Sequence, residues 1–282
     1  MEGAKIERYK AIALLDSGVG GLTVAREIFR QLPHENIIYF GDTAHFPYGP
    51  RPHSQVRSFV CEILDFFRVQ GIKMVIIACN SATAAGLEHY EKRINVPLLG
   101  VIEPGIKEAL KHTQTNKIGV IGTAGTILSG AYQEIFGRLN KGGARLYSQP
   151  CPLFVLIVEN GLVDSPEAKR VAEEYLKPLK DAKIDTLILG CTHYPLMSSV
   201  IQEVMGPGVK LISSAKETAR KTKVILEKKG LLNPQACQGS AVTTQQHRFF
   251  VSGPAKPFTD LAVNLLGKDI KAYQVILPHQ FL

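Results

Sequence analysis

Two stretches of the sequence share one pattern: Met74-Val75-Ile76-Ile77-Ala78-Cys79-Asn80-Ser81-Ala82-Thr83 and Thr186-Leu187-Ile188-Leu189-Gly190-Cys191-Thr192-His193-Tyr194-Pro195. In each, an apolar run of strand length ends at a cysteine that is followed by small polar residues. An open α/β sheet carries its functional groups at the carboxyl ends of its strands. The two stretches therefore predict two buried strands, one in each half of the chain, whose cysteines face one substrate as a pair of acid/base groups.

Strand and helix patterns alternate outward from these stretches. The apolar run 11–15 ends at the Gly-rich turn 16–21, and the run 118–121 ends at a small polar turn at the corresponding place in the second half. Such alternation predicts parallel sheets with flanking helices. We predict an α/β fold of two similar domains, each a mostly parallel sheet flanked by helices, with the active site in the cleft between them. The first domain is discontinuous, residues 1–101 plus 213–282, and the second comprises residues 102–212.

Bulk composition excludes several classes of protein. The chain has 282 residues, of which 45% are hydrophobic, which is enough to bury cores for two domains of about 100–200 residues each. No apolar run approaches the roughly 20 residues of a membrane span, and the N-terminus lacks an apolar signal core. Five cysteines, an odd number without the density of a disulfide scaffold, indicate the reducing cytosol.

The net charge of +8 raises the question of nucleic-acid binding. The basic residues are dispersed, however, and the densest cluster lies on one predicted helix: Lys216, Arg220, Lys221, Lys223, Lys228 and Lys229. A cluster of this kind is typical of a solvated helix face rather than a binding stripe. We therefore expect no nucleic-acid partner, and the charge also suits an anionic small substrate.

Three of the five cysteines are read as structural residues. Cys61 lies on a helix with an apolar stripe, Cys151 lies between prolines and Cys237 lies in a polar tail. Cys79 and Cys191 each lie instead at a predicted strand-to-helix turn. There the free N–H groups and the positive end of the helix favour a thiolate, so these two are the candidate functional thiols.

His193 follows Cys191 by two residues, and a histidine in that position can set the protonation state of the thiol. Cys-X-His also invites a metal-site interpretation. No second Cys/His cluster supplies the remaining ligands at zinc spacing, so we expect no metal.

Asp16 directly follows an apolar strand. The sequence Asp16-Ser17-Gly18 is typical of a turn and of a helix N-cap, and the carboxylate can also receive a substrate ammonium group or act as a base near a thiol. Residues 18–21 lack the full dinucleotide or P-loop spacing and the lysine of a Walker motif. A nucleotide is therefore not expected.

Small hydroxyl and amide residues follow the predicted strand ends: Asn80, Ser81, Thr83, Thr123, Thr126 and Thr192. Each can simply cap a helix. Together with backbone N–H groups at helix starts, they can bind a carboxylate. This composition suits a small polar amino acid better than a nucleotide.

Several motifs occur in the order found in one enzyme family: Asp16-Ser17-Gly18-Val19-Gly20-Gly21-Leu22, Gly41-Asp42-Thr43, Pro47-Tyr48-Gly49, Ala78-Cys79-Asn80-Ser81-Ala82-Thr83 and Gly190-Cys191-Thr192-His193-Tyr194-Pro195. They resemble the motif set of the glutamate racemases, within the wider aspartate/glutamate racemase family. The resemblance extends from Ala11 to the C-terminus, because residues 248–267 also resemble the final strand and helix of that family. It implies a cofactor-independent enzyme that makes D-glutamate for peptidoglycan of the bacterial cell wall.

The resemblance implies a two-base mechanism. One cysteine, as thiolate, removes the α-proton, and the other, as thiol, donates a proton to the opposite face of the carbanion. By resemblance, Cys79 acts on the D-isomer and Cys191 on the L-isomer. Asp16 then assists near Cys79, His193 assists near Cys191, and Glu159 is the candidate auxiliary acid near Cys191.

The resemblance also implies a substrate pocket lined by Ser17, Pro47, Tyr48, Gly49, Asn80, Ser81, Thr83 and Thr192. The set of small polar residues adds Thr123 and Thr126, and Asp16 and His193 are further candidate substrate contacts. It implies glutamate as the substrate, no cofactor, no metal, no membrane, a cytoplasmic location and a homodimer. Three positions depart from the family's usual pattern: Leu156 replaces a proline, Asn160 an acidic residue and Ser213 an aspartate. These departures concern the hinge and the wall beside Cys191 rather than the reaction.

Two alternatives remain open from the residues. The first is a related racemase or decarboxylase that acts on aspartate or another carboxylate, because the thiol pair sets the reaction while the pocket wall sets the substrate. The second is a binding protein whose two α/β lobes hold an acidic ligand without chemistry. Two cysteines at strand ends, with a histidine beside one of them, argue against pure binding.

Overall fold

In the computed structural model, which describes residues 7–234 and 247–278, the strands form two sheets. The strands of the first sheet are β1 (Ala11–Asp16), β2 (Ile37–Gly41), β3 (Ile72–Ile77), β4 (Leu98–Gly100), β9 (Arg248–Val251) and β10 (Ala272–Gln274). The strands of the second sheet are β5 (Lys117–Gly122), β6 (Arg145–Pro150), β7 (Thr186–Gly190) and β8 (Lys210–Ser213). The spatial orders are β10-β9-β2-β1-β3-β4 and β6-β5-β7-β8, and every pairing is parallel.

Helices connect the strands. Those among the first-sheet strands are α1 (Leu22–Gln31), α2 (His53–Arg68), α3 (Asn80–Glu91) and α11 (Ala255–Leu266). Those among the second-sheet strands are α4 (Ile102–His112), α5 (Ala124–Leu128), α6 (Ala131–Leu139), α7 (Leu153–Glu159), α8 (Pro166–Asp181) and α9 (Ser198–Met205). A 3₁₀ turn, Tyr194–Met197, precedes α9, and α10 (Ser214–Lys228) leads back to the first sheet. We call the part of the chain that carries the first sheet, residues 7–101 and 214–278 as far as described, the first lobe, and the part that carries the second sheet, residues 102–213, the second lobe.

The central strands are apolar on both faces because helices cover both faces of each parallel sheet. All residues of β1, β2, β3 and β7 are buried. Side chains of β1 alternate between two apolar clusters, with Ile12 and Leu14 on one face and Ala13 and Leu15 on the other. The second sheet is covered in the same way by two further clusters. The predicted α/β class, with two parallel sheets flanked by helices, is therefore confirmed.

The sheet membership follows the order of the chain except for the return of residues 248–274 to the first sheet. Ser213 ends β8 of the second sheet and caps α10, since its side chain accepts a hydrogen bond from the Ala215 N–H group. Helix α10 packs against both α1 of the first lobe and α4 of the second. The domain boundaries at residues 101 and 213 therefore stay a prediction.

The N-cap predicted at Asp16-Ser17-Gly18 differs from the structure. The three residues form a turn, but α1 begins only at Leu22, after Gly21, with no side-chain cap. The Asp16 carboxylate accepts a hydrogen bond from the Gly18 N–H group at 3.1 Å, two residues ahead of it. The carboxylate thus stabilises the turn rather than the helix.

Two features of the surface bear on partners. Within the described ranges, none of the helices combines the length and the apolar character needed to cross a bilayer. The basic cluster lies on α10 and the residue after it, where Lys216, Arg220, Lys223, Lys228 and Lys229 are exposed and Lys221 is half-buried. Arg220 also pairs with Glu217 on the same helix.

Candidate active site

A small cavity of about 20 Å³ lies where the carboxyl ends of the two sheets face each other. Its lining includes most of the residues predicted for the site: Ser17, Pro47, Tyr48, Gly49, Cys79, Asn80, Ser81, Thr123, Cys191, Thr192 and His193. The first seven belong to the first lobe and the last four to the second. Four predicted residues lie outside this lining: Asp16, Thr83, Thr126 and Glu159.

Cys79 lies between the end of β3 and the start of α3, as its N-cap residue. Its Sγ accepts a hydrogen bond from the Ala82 N–H group at 3.5 Å and lies 3.8 Å from Ser17 Oγ, whose hydroxyl donates to the sulfur when Cys79 is ionised. These contacts favour a thiolate, as expected for a helix start. Burial opposes them more strongly, and together with the negative charge of Asp16 it raises the pKa of Cys79 to about 12. Cys79 therefore rests as a thiol, contrary to the expectation from the helix alone.

Cys191 follows β7 directly, on the opposite wall, but no regular helix begins directly after it. His193 Nδ1 lies 3.9 Å from Cys191 Sγ, and His193 Nε2 lies 2.6 Å from Glu159 Oε1. The predicted trio is thus brought together as a chain from thiol to imidazole to carboxylate. Glu159 sits behind the histidine, at the end of α7, and lines a separate, mostly apolar groove of about 330 Å³.

Ionisable groups surround the side chain of His193, which is almost fully buried. Burial alone would lower the pKa of the imidazole. Hydrogen bonds to Cys191 and Glu159, with the negative charges of Cys191 and Asp16, outweigh burial and raise the pKa of His193 to about 10. His193 is therefore an imidazolium at neutral pH.

Asp16 lies fully buried beneath the cavity at the end of β1. Burial raises its pKa, although the charge of His193 and hydrogen bonds from Gly21, Gly18 and Thr192 act in the opposite direction. The Thr192 hydroxyl donates to Asp16 Oδ1 at 3.4 Å, across the two lobes. Asp16 thus contacts the second cysteine's turn directly, and it acts on Cys79 through its charge.

The loop that carries Pro47, Tyr48 and Gly49 is held by Asp42, a buried residue that the sequence analysis did not select. The Asp42 carboxylate accepts hydrogen bonds from the Tyr48 hydroxyl and from Ser252 Oγ, the latter at 2.6 Å. A buried carboxylate directly after β2 can therefore fix the wall of the cavity from behind. Its signal in the sequence was the same as that of Asp16, an acidic residue at a strand end.

Three hydroxyls from both lobes contact one another beside the cavity. Ser81 Oγ lies 3.0 Å from Thr123 Oγ1 and 3.1 Å from Thr126 Oγ1, and the two threonine oxygens are 2.9 Å apart. Thr126 is fully buried behind the other two, so it supports them rather than facing the cavity. Thr83 is also turned away, because its hydroxyl donates to the backbone carbonyls of Cys79 and Ile77.

Glycines allow the lobes to approach closely at the cavity. A Cβ on Gly20 would lie 2.5 Å from Thr192 Oγ1 and 2.8 Å from the His193 ring. A Cβ on Gly49 would lie 2.8 Å from Thr123 Cβ, and the Gly125 N–H group donates to the Gly49 carbonyl at 3.1 Å. Any side chain at these positions would hold the lobes apart.

Two lining residues were missed by the sequence analysis, Phe46 and Val155. Phe46 belongs to the loop of Pro47, so its neighbourhood was a usable signal. Val155 lies within the apolar run of α7, where nothing distinguishes it from a core residue. The departures at Leu156 and Asn160 fall on the exposed side of this helix and its end, where the Asn160 side chain donates to the Leu156 carbonyl.

Cys151 is buried and Cys61 half-buried, both as free thiols, while Cys237 lies outside the described residues. In residues 7–234 and 247–278, no three His, Cys, Asp or Glu side chains cluster closely enough to hold a metal ion.

Comparison with known proteins gives consistent matches. The family described as Asp/Glu/hydantoin racemase matches residues 16–222. A glutamate racemase of Oceanobacillus iheyensis is 46% identical over 261 residues, which are 92% of this chain and 93% of that protein. The crystal structure of a glutamate racemase isoform of Bacillus anthracis has a TM-score of 0.89 at 43% identity and covers 95% of this chain and 98% of its own. A glutamate racemase of Francisella tularensis, solved in complex with D-glutamate, has a TM-score of 0.86 at 32% identity, with 95% and 98% covered.

Proposed function

The chain belongs to the Asp/Glu/hydantoin racemase family, and we propose that it is a glutamate racemase that interconverts L- and D-glutamate with Cys79 and Cys191 as its two bases. The observation that carries this proposal is that the two thiols line one cavity from opposite lobes. Two acid/base groups on opposite sides of an α-carbon are what inversion by proton removal and return requires. The name of the Francisella relative's ligand, D-glutamate, points to the same substrate.

The proton steps follow from the surroundings of each thiol. From L-glutamate, the Cys191 thiolate takes the α-proton, so the C–H bond breaks and an S–H bond forms. The carbanion then takes the proton of the Cys79 thiol on its other face, which leaves a thiolate on Cys79. The reverse sequence converts D-glutamate. The high pKa of Cys79 keeps it protonated before the first step, and the His193 imidazolium stabilises negative charge on Cys191 electrostatically.

Substrate binding uses the polar groups of the lining. The Asn80 amide and the hydroxyls of Ser81, Thr123 and Thr192 are positioned to donate to the carboxylates of glutamate. A cavity of about 20 Å³ holds about one water molecule. Glutamate therefore enters when the lobes part, and their approach afterwards excludes water from the carbanion.

A single assay tests the proposed reaction. The purified protein, without added cofactor, is incubated with L- or D-glutamate in D₂O, and circular dichroism and NMR follow inversion and exchange of the α-proton. We expect both enantiomers to converge on the racemate with deuterium incorporated at the α-carbon. Turnover of aspartate with none of glutamate would favour the alternative substrate, and ligand binding without exchange would favour a binding protein.

The cellular role and assembly belong to the same proposal. The D-glutamate would supply peptidoglycan synthesis in the cytoplasm, and the protein would act as a homodimer. Expression of the gene should restore growth of a bacterial strain that lacks its own racemase and requires D-glutamate. Light scattering should give twice the chain mass, and the mass of a monomer would contradict the dimer.

A further inference from the structure

Of the two polar atoms of the Asn80 side-chain amide, only the oxygen has a hydrogen-bond partner among the described residues. Its Oδ1 accepts a hydrogen bond from the Tyr132 hydroxyl at 3.0 Å. Its Nδ2 is buried and has no hydrogen-bond partner among the described residues. Because a buried donor without an acceptor costs free energy, and because Asn80 lines the cavity, this amide group is a donor kept available at the site.

Tyr132 is the residue that determines which end of the amide is free. It lies fully buried in α6 of the second lobe, whereas Asn80 begins α3 of the first. The bond to Asn80 is the one hydrogen bond of the Tyr132 hydroxyl within the described ranges. If the amide were turned by 180°, the hydroxyl would face two N–H bonds and its own proton would lose its acceptor. The hydroxyl therefore selects the orientation with Nδ2 unpaired.

The same hydroxyl also lies against the turn of the second cysteine. A Cβ added to Gly190, directly before Cys191, would be 2.9 Å from the Tyr132 oxygen. The glycine thus leaves the space that lets Tyr132 reach Asn80. Burial raises the pKa of Tyr132 well above its ordinary value, so the hydroxyl keeps its proton. One tyrosine therefore contacts the residues next to both cysteines.

We propose that Tyr132 is a positioning residue that fixes the Asn80 amide with its N–H₂ group toward the cleft, where it donates to a carboxylate of the amino-acid substrate. This inference rests on the proposed function for the identity of that carboxylate. Tyr132 itself does not touch the reacting atoms. Because the two residues come from different lobes, the orientation is set only when the lobes are together, which is also when the substrate is enclosed.

The variant Tyr132→Phe removes only the hydroxyl. A hydrogen bond to a carboxylate that is made equally in ground and transition state affects KM rather than kcat. We expect KM for both enantiomers to rise on the order of tenfold, the effect of one hydrogen bond to a charged group, with kcat within about twofold of the wild type. An unchanged KM would overturn the inference.

A double-mutant cycle separates positioning from packing. If Tyr132 acts through Asn80, the effect of Tyr132→Phe on KM disappears in an Asn80→Ala background. A penalty of the same size in both backgrounds would contradict the inference. Tyr90→Phe is the matched control, because Tyr90 is buried on the same helix as Asn80 and its hydroxyl has no hydrogen-bond partner among the described residues. We expect that control to keep the wild-type KM.

A spectroscopic readout on the ligand-free protein does not depend on activity. With ¹⁵N-asparagine labelling, the side-chain N–H₂ signals of Asn80 are identified by their loss in Asn80→Ala. They should shift in Tyr132→Phe and stay in place in Tyr90→Phe. Wild-type protein that fails to racemise glutamate would refute the proposed function, whereas unshifted Asn80 signals would refute the role of Tyr132.

Discussion

Cys79 and Cys191 occupy corresponding places in two sheets, yet their surroundings differ in almost every respect. Cys79 is the cap of a regular helix, its partners are a backbone N–H group and a serine hydroxyl, and burial raises its pKa to about 12. Cys191 is followed by an irregular turn that places the His193–Glu159 pair behind it. Topology thus sets where both thiols lie, and the turn after each strand sets how a proton is held there.

The contrast between the two turns allows one architecture to serve both faces of a carbon atom. Where a helix starts immediately, as after Cys79, the following residues supply a backbone N–H group to the thiol, and its one side-chain partner, Ser17, comes from another strand end. The Cys191 turn delays its helix until Ser198, and in the intervening residues a histidine can turn back toward the sulfur. In the proposed mechanism, Cys79 is held as a proton donor by burial and Cys191 is supported as a thiolate by a cation.

The largest expected effect comes from removing either thiol. Cys79→Ser and Cys191→Ser should each lower kcat for racemisation by about 100- to 10,000-fold, the usual contribution of a general acid or base. The comparison also predicts opposite residual activities in D₂O. Cys79→Ser should exchange the α-proton of L-glutamate in preference to D-glutamate, and Cys191→Ser the reverse. Cys61→Ser, half-buried on α2, is the control that should retain activity, and equal exchange of both enantiomers would break the comparison.

A smaller effect is expected from a change in the residues that support Cys191 but not Cys79. Glu159→Gln keeps the shape of the side chain but removes the charge that helps to hold a proton on His193. We expect kcat/KM to fall about ten- to a hundredfold. The fall must be equal from L- and D-glutamate, because the equilibrium constant between enantiomers is one, while kcat alone should change unequally in the two directions. The control is Asn160→Ala, the exposed neighbour, and an equal change of kcat in both directions would count against separate roles for the thiols.

The smallest effect concerns stability and pH. The folded state raises the pKa of His193 to about 10, whereas unfolded histidine titrates near about pH 6.5. The contribution of protonated His193 to the free energy of unfolding is therefore complete below about pH 6.5 and is lost as pH rises toward about 10. The free energy of unfolding falls by at most about 1.4 kcal/mol per pH unit over this range. Between about pH 7 and about pH 8, urea denaturation should show the wild type losing about 1 kcal/mol more than His193→Asn. Parallel curves would contradict a net uptake of a proton at His193 on folding.

Much of the fold was readable from the sequence because buried parallel strands give continuous apolar runs. The runs before Asp16, Cys79, Gly122 and Cys191 all became strands of parallel sheets. At residues 16–18 the predicted turn is present and the suggested helix N-cap is not, because an Asp-Ser-Gly sequence stabilises a turn as readily as a helix start. Nothing local distinguishes the two until the next residues are placed.

Site residues could be predicted from the sequence where motif residues lie at strand ends. They could not be predicted where packing between the lobes determines which side chains line the cavity. Val155 carries no sequence signal, since a lining residue on α7 and a core residue on α7 look alike. Thr126 and Thr83 were expected to face the substrate. Thr126 instead contacts the hydroxyls of Ser81 and Thr123, and Thr83 donates to a backbone carbonyl. The link from Tyr132 to Asn80 spans 52 residues and two lobes, so no local pattern reveals it.

The four apolar clusters have a thermodynamic consequence. Each lies on one face of one sheet, and in the described part of the chain only Phe46 and Ala84 pack from the first lobe onto clusters of the second. Apart from these, the contacts described above across the cleft are hydrogen bonds and close approaches of glycine backbone. Parting the lobes exchanges those bonds with water and exposes little apolar surface, so its heat-capacity change is small. The balance between open and closed cleft should therefore vary little with temperature, unlike the stability of the fold that surrounds it.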